Sequence, residues 1–221
     1  SVVKNAVVEP YLLWRMEHNY RGETGTIGHF NSKTVGVRWA GKFMGRFDYN
    51  SEVAVQGGRA CQEQMRTWLG HWLLGRTLTD GQRRPRLFAE FNYASGDSSV
   101  GDGRRGTFDF LFPSVHDKFG LADLFAASNI EHFRTGFQFA AHRNFQVAGE
   151  YSQVWLANAG DALYAGGRAW RGVRTERHVG QEAGVQVVWT ASRSTQLTTG
   201  VSRLFPGGYL SGVPGAGRFT M

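Results

Sequence analysis

The sequence predicts an all-β protein, an antiparallel transmembrane β-barrel of the outer-membrane type, with about nine strands in 221 residues. Three observations predict it. In the stretch 87–94, Leu87, Ala89, Phe91 and Tyr93 fall on one face while Glu90 and Asn92 fall on the other, the two-residue period of a strand with lipid on one side and water on the other. Connections alternate between short, near 41–43, 141–144 and 190–194, and long, at 18–32, 96–129 and 157–177, the rhythm of periplasmic turns against extracellular loops. Trp14, Trp39, Tyr93, Trp155, Trp189 and Phe205 fall at or near predicted strand ends, where interfacial aromatic girdles lie.

The predicted strands, in order, are 6–17, 33–41, 44–56, 62–76, 85–95, 130–141, 144–156, 178–189 and 194–205. In the first, Pro10, Leu12 and Trp14 face lipid, which turns Glu9 and Arg15 to the lumen. Val35, Val37 and Trp39 do the same for Arg38 in the second, and Phe47, Tyr49 and Val53 place Arg46, Asp48, Asn50 and Glu52 inside in the third. The fourth has no assigned face: Trp68, Trp72 and Leu74 compete with Met65, Leu69 and Leu73, and a bulge could reconcile them. Glu90 is inside in the fifth, and Phe133, Phe137 and Phe139 put His132, Arg134 and Gln138 inside in the sixth. Glu150 in the seventh and Glu182 and Gln186 in the eighth complete a lumen of mixed sign. On the outer, convex face Leu87, Phe91, Phe137, Val147, Val185 and Leu197 are expected together.

Composition narrows the alternatives. No apolar run approaches the roughly 18 residues of a membrane-spanning helix, so a helical membrane protein is excluded; the mean hydropathy of −0.35 suits a barrel or a soluble all-β protein. The single cysteine, Cys61, forms no internal disulfide and reads as a small half-buried residue. Of 25 basic residues, 21 are Arg and 4 are Lys. Arg suits bidentate recognition of carboxylate or phosphate, which favours an anionic ligand. The basic residues are scattered singly and no nucleic-acid-binding pattern occurs, so no nucleic acid partner is expected. Arg and Glu inside a pore can serve as weak serial sites for a polyanion, or simply pair across neighbouring strands.

The 96–129 connection is long enough to suggest a function. Ser114 to Asp117 has the form of a capping box, and Val115, Phe119, Ala122 and Phe125 recur at helical spacing, predicting a short amphipathic helix anchored by Phe108, Phe110, Phe112 and Pro113. Together with His116, these residues either fold over the pore mouth as a gate or pack as a cap on its rim. Asp97, Asp102 and Asp109 could hold Ca²⁺, although Gly-Asp loops are usually turns; otherwise no cofactor or metal is expected. Ser114, His116 and Asp117 lie too close in sequence to form a catalytic relay, and no nucleophile or phosphate-loop motif occurs. The chain is therefore read as a non-enzyme. The alternatives are a small outer-membrane barrel enzyme acting on lipid and a soluble β-sandwich binding acidic sugars.

FAEFNYASGD at 88–97, GTFDFLFPSVHDKFGLADLF at 106–125, HVGQEAG at 178–184 and LFPGGYL at 204–210 resemble the alginate export family of Gram-negative outer-membrane proteins. The resemblance runs over most of 85–221. It implies an outer-membrane location and a monomeric barrel of about eighteen strands in contact with lipid and lipopolysaccharide. It also implies a lumen, rich in Arg, that passes an alginate-like uronate polymer or small anions by passive diffusion. The lumen-facing residues for that role would be Arg15, Arg38, Arg46, Asp48, Glu52, Glu90, Arg134, Glu150 and Glu182. Nine strands use about 25 residues each, so eighteen need about twice this length. With no signal peptide at Ser1 and no closing strand before Met221, the chain reads as a single partial barrel domain, a C-terminal-side fragment.

Overall fold

The computed structural model describes residues 6–111 and 118–213. Among them, nine long strands form one meandering sheet: β1 (Ala6–Arg21), β2 (Ile27–Phe43), β3 (Phe47–Ala60), β4 (Glu63–Thr77), β5 (Arg86–Ala94), β7 (Ile130–His142), β8 (Phe145–Trp155), β11 (His178–Thr190) and β12 (Gln196–Pro206). Every neighbouring pair along that path is antiparallel. The short β6 (Arg104–Arg105) adds parallel rungs to β4, and β9 (Leu163–Ala165) pairs with β10 (Arg168–Trp170) in a separate hairpin. No helix among the described residues is long and apolar enough to cross a membrane.

Side-chain alternation sorts the sheet as expected. Leu12, Val35, Leu87, Phe91, Phe137, Val185, Leu197 and Val201 are exposed on one face, reaching 68% for Val201. No second sheet among the described residues covers them, which overturns the sandwich alternative: a sandwich would bury this row. Aromatic pairs mark its two margins. Phe43 stacks on Phe47 and Phe145 on Trp189 at one end, while Trp68 stacks on Tyr93 and Trp155 meets His178 at the other. Phe145 and Trp155 bound the strand β8. At about 3.4 Å per residue and a tilt of roughly 40°, the interval spans about 26 Å, the height of a barrel's lipid-facing band.

Three local expectations are corrected. The 18–32 connection is a turn of residues 22–26, because β1 and β2 run on past Trp14 and Lys33. Beyond that level Met16 and Ile27 are still exposed and apolar, but His18, His29, Asn31 and, on the next hairpin, Arg59 and Arg66 are polar, so the apolar alternation breaks up while the backbone pairing continues. Phe30, Ala60 and Met65, with Tyr20, pack a small core on the inner side of this projection. In β4 the pairing with β3 is unbroken and needs no bulge: Trp68, Trp72 and Leu74 point out, and Met65, Leu69 and Leu73 point in. The predicted helix is absent from 118–125, where Gly120 (φ 98°) and Asp123 (φ 53°) adopt left-handed conformations that a helix does not tolerate. The capping box lies outside the described residues.

Candidate functional site

The inner face of the sheet is where the site lies, and the long connection folds down onto it. Two side chains on the wall hold the segment before the undescribed residues. Gln56, buried on β3, donates from Nε2 to the Asp109 carbonyl (2.7 Å) and accepts from the Asp109 amide at Oε1 (2.9 Å), while Thr34 and Thr67 on either side fix its orientation. Arg15 on β1 donates to both carboxylate oxygens of Asp109 (2.9 and 2.7 Å) and to Glu17 (2.6 Å).

Three further wall positions hold the returning segment. Lys118 Nζ donates to Glu52 Oε2 (3.2 Å), whose other oxygen accepts the Tyr11 hydroxyl (2.6 Å). Gly36 makes room for that tyrosine, since a Cβ there would stand 2.2 Å from its ring. Asn92 donates to the Lys118 carbonyl (3.1 Å), and Glu182 accepts the Ala122 amide (2.9 Å). Between the two clamps, Phe108, Phe119 and Phe125 are buried with Leu124, and Tyr11, Leu69 and Phe110 pack against them. A cavity of about 360 Å³ remains between loop and wall, lined by Tyr11, Leu13, Leu69, His71, Phe108 and Phe110. Among the described residues, the connection thus packs against the inner face of the sheet. Phe112, Pro113 and His116 lie outside the described residues.

Beneath this plug the wall carries ion pairs. Arg134 sits between Glu90 (2.5 Å) and Glu150 (3.1 Å), all three on inward positions of successive strands. His71 and Asn92 share a hydrogen bond (2.7 Å), and Asn92 also bonds Glu90 and approaches His132, so both buried histidines engage an amide instead of a hydroxyl nucleophile. Toward the end with the short turns, Arg38 pairs with Glu9 (2.5 Å) and bonds Asn50, and Arg86 reaches across Gly75 to Asp48 (2.5 Å). Arg15, Arg38, Asp48, Glu52, Glu90, Arg134, Glu150 and Glu182 therefore take the inward face assigned to them. Arg46 does not line the wall. It lies in the turn between β2 and β3 and pairs with Asp80 (2.7 Å), because the strand starts at Phe47, three residues after the predicted 44.

Lys118, Gln56, Tyr11 and Arg86 are contributors that the sequence did not single out. Tyr11 shares the parity of Glu9 and Arg15 and could have been found by it; the partners of Gln56 and Lys118 are set only by how the loop folds. Asp97 caps the amides of Ser99 and Gly106, Asp102 caps that of Arg104, and Asp109 serves Arg15, so the three carboxylates act in three separate places.

At the projecting end, Glu23 in the β1–β2 turn has its pKa pushed up to about 8 by burial, by the charge of Asp97 and by its hydrogen bond to Glu63, against the opposing charge of Arg105. A carboxyl with a raised pKa in the folded state stabilises that state below the unfolded value and loses the contribution as pH rises through the folded one. Protection factors at residues 22–26, exchange corrected for its intrinsic base-catalysed rate, should therefore be higher at pH 5 than at pH 9, and Glu23→Gln should flatten the difference. Equal pH dependence in the variant would count against this.

A family model described as alginate export matches residues 2–216. No curated protein matches the chain. Among solved structures, the Pseudomonas putida toluene transporter TodX is similar at 12% identity and a TM-score of 0.43, over 92% of this chain and 66% of that one. The chain thus spans a little less than two thirds of that transporter's length.

Proposed function

This chain belongs to the alginate export family and resides in the bacterial outer membrane, and from that premise we propose that it forms the wall and the internal plug of a channel that passes an anionic, uronate-type polysaccharide or small anions by passive diffusion. The observation that carries the reading is the row of inward Arg side chains. Arg38 and Arg134 stand beside carboxylates on neighbouring strands, and Arg86 reaches one across an intervening strand. A guanidinium already paired keeps its charge but holds a passing carboxylate loosely, and conduction needs such weak serial sites. Arg38 is the open member of the row, with its side chain 39% exposed, and Arg134 the covered one, at 9%. Arg38 is therefore the residue to test for selectivity.

In planar bilayers the channel should prefer anions. Arg38→Glu should shift the reversal potential toward cations, and short uronate oligomers added to one side should block the current where neutral oligosaccharides do not. An unchanged reversal potential in Arg38→Glu and in Arg86→Glu would reduce these arginines to wall ion pairs. Block by neutral sugars alone would replace the anionic substrate with an uncharged one.

A further inference from the structure

The projecting part of the β1–β2 hairpin carries a pair of side chains that the channel reading does not use. A bulge between Glu17 and Tyr20 shifts the register of β1 against β2. Bulges re-aim side chains, and this one places the His18 ring beside that of His29, with Nδ1 to Nδ1 3.2 Å, ring centroids 5.2 Å apart and planes at 85°. Both rings are exposed on the outward face, past Met16 toward the β1–β2 turn. The His29 backbone is held by the Cys61 amide, which donates to its carbonyl at 2.8 Å.

Imidazole nitrogens bind a first-row metal ion at about 2.0–2.1 Å, so two of them in adjacent tetrahedral or octahedral positions lie about 2.9–3.4 Å apart. The observed 3.2 Å falls in that interval without any movement of the backbone. In the metal-free pair one Nδ1 holds a proton and the other accepts it. Moving that proton to Nε2 of the same ring frees both Nδ1 lone pairs for one ion, with no net change in protonation. Water fills the remaining positions, because the rings are open to solvent. We propose that His18 and His29 form a cross-strand, bidentate site for a late first-row divalent cation on the hairpin that projects from the end bearing the long connections. Cu²⁺ binds most tightly of these, following the general order of affinity for nitrogen ligands.

The test uses the whole, untagged protein in detergent micelles, titrated with Cu²⁺ and followed by electron paramagnetic resonance. One ion per chain with two-nitrogen coupling is expected. Loss of one direct ligand should cost at least the roughly tenfold in affinity that loss of an outer-shell partner costs, so His18→Gln and His29→Gln should each weaken binding by about tenfold or more. His178→Gln, a change at another accessible ring, should leave binding as it is, and Zn²⁺ should bind more weakly than Cu²⁺. The sheet signal in circular dichroism reports that the variants are folded. Undiminished Cu²⁺ binding by folded His18→Gln and His29→Gln proteins would overturn the proposal and leave the pair a plain hydrogen bond.

Discussion

Deleting residues 100–124 should raise single-channel conductance while the nine long strands remain paired. Phe108 and Phe119 are buried between wall and loop at 5% and 4% exposure, and each such aromatic contributes about 1.5–3 kcal/mol by leaving water. Against this stands the entropy of ordering a connection of more than thirty residues, about 1–2 kcal/mol for each backbone unit fixed. The clamps at Asp109, Lys118 and Ala122 offset part of that cost. The connection packs against the inner wall without taking part in the ladders between the long strands, so it can be removed without unfolding the sheet that holds it. Strand pairing itself is carried by long, regular ladders such as Phe47–Ala60 with Glu63–Arg76, which the deletion leaves alone. Conductance in planar bilayers, read beside the sheet signal in circular dichroism, checks both halves. Unchanged conductance in a folded variant would place the connection out of the ion path; loss of folding would make it part of the core.

Replacing Arg134 should have the largest effect on stability of any single change to the wall. Its guanidinium is shared by Glu90 and Glu150, and Glu90 has no exposed side-chain surface. Removing one member of a buried ion pair leaves an uncompensated charge at a cost of about 3–5 kcal/mol. Arg134→Met should lower the denaturant midpoint for unfolding from micelles by a corresponding amount, and Arg134→Glu by more, since it sets a third carboxylate against two. Adding Glu90→Gln and Glu150→Gln to Arg134→Met should restore most of the loss, because no buried charge then lacks a partner. A triple variant no more stable than Arg134→Met would mean that shape, not charge, holds this part of the wall. Burial also separates the roles of the arginines: reversal at Arg134 reports on folding, and reversal at Arg38 on selectivity.

The legibility of the fold follows from where the cue was strong. Leu87 to Ala94 alternates cleanly because lipid lies on one side, and there the predicted 85–95 meets the observed Arg86–Ala94. The hairpin ends at 18–32 lost the cue because polar residues such as His18, His29 and Asn31 take outward positions there, although the backbone hydrogen bonds run on to Arg21 and from Ile27. In β4, Met65 and Leu69 are inward yet apolar because the projection's small core and the loop cover those positions of the inner wall. A face that packs against protein looks like one that faces lipid when read from residue types alone.

By itself, then, the sequence determined the nine long strands, the meander and, outside the fourth strand, most of the inward and outward faces, because all three depend on a two-residue period and on neighbours close along the chain. It also placed Glu90, Arg134 and Glu150 on one inner face. Only the tertiary structure decided that Arg134 joins the two carboxylates, that Arg46 serves a turn, and that Phe108 and Phe119 pack against the inner face of the sheet. Those outcomes depend on contacts between residues distant in sequence, such as Gln56 with Asp109 and Glu182 with Ala122. No local pattern encodes such contacts, since their energy exists only once the loop has closed.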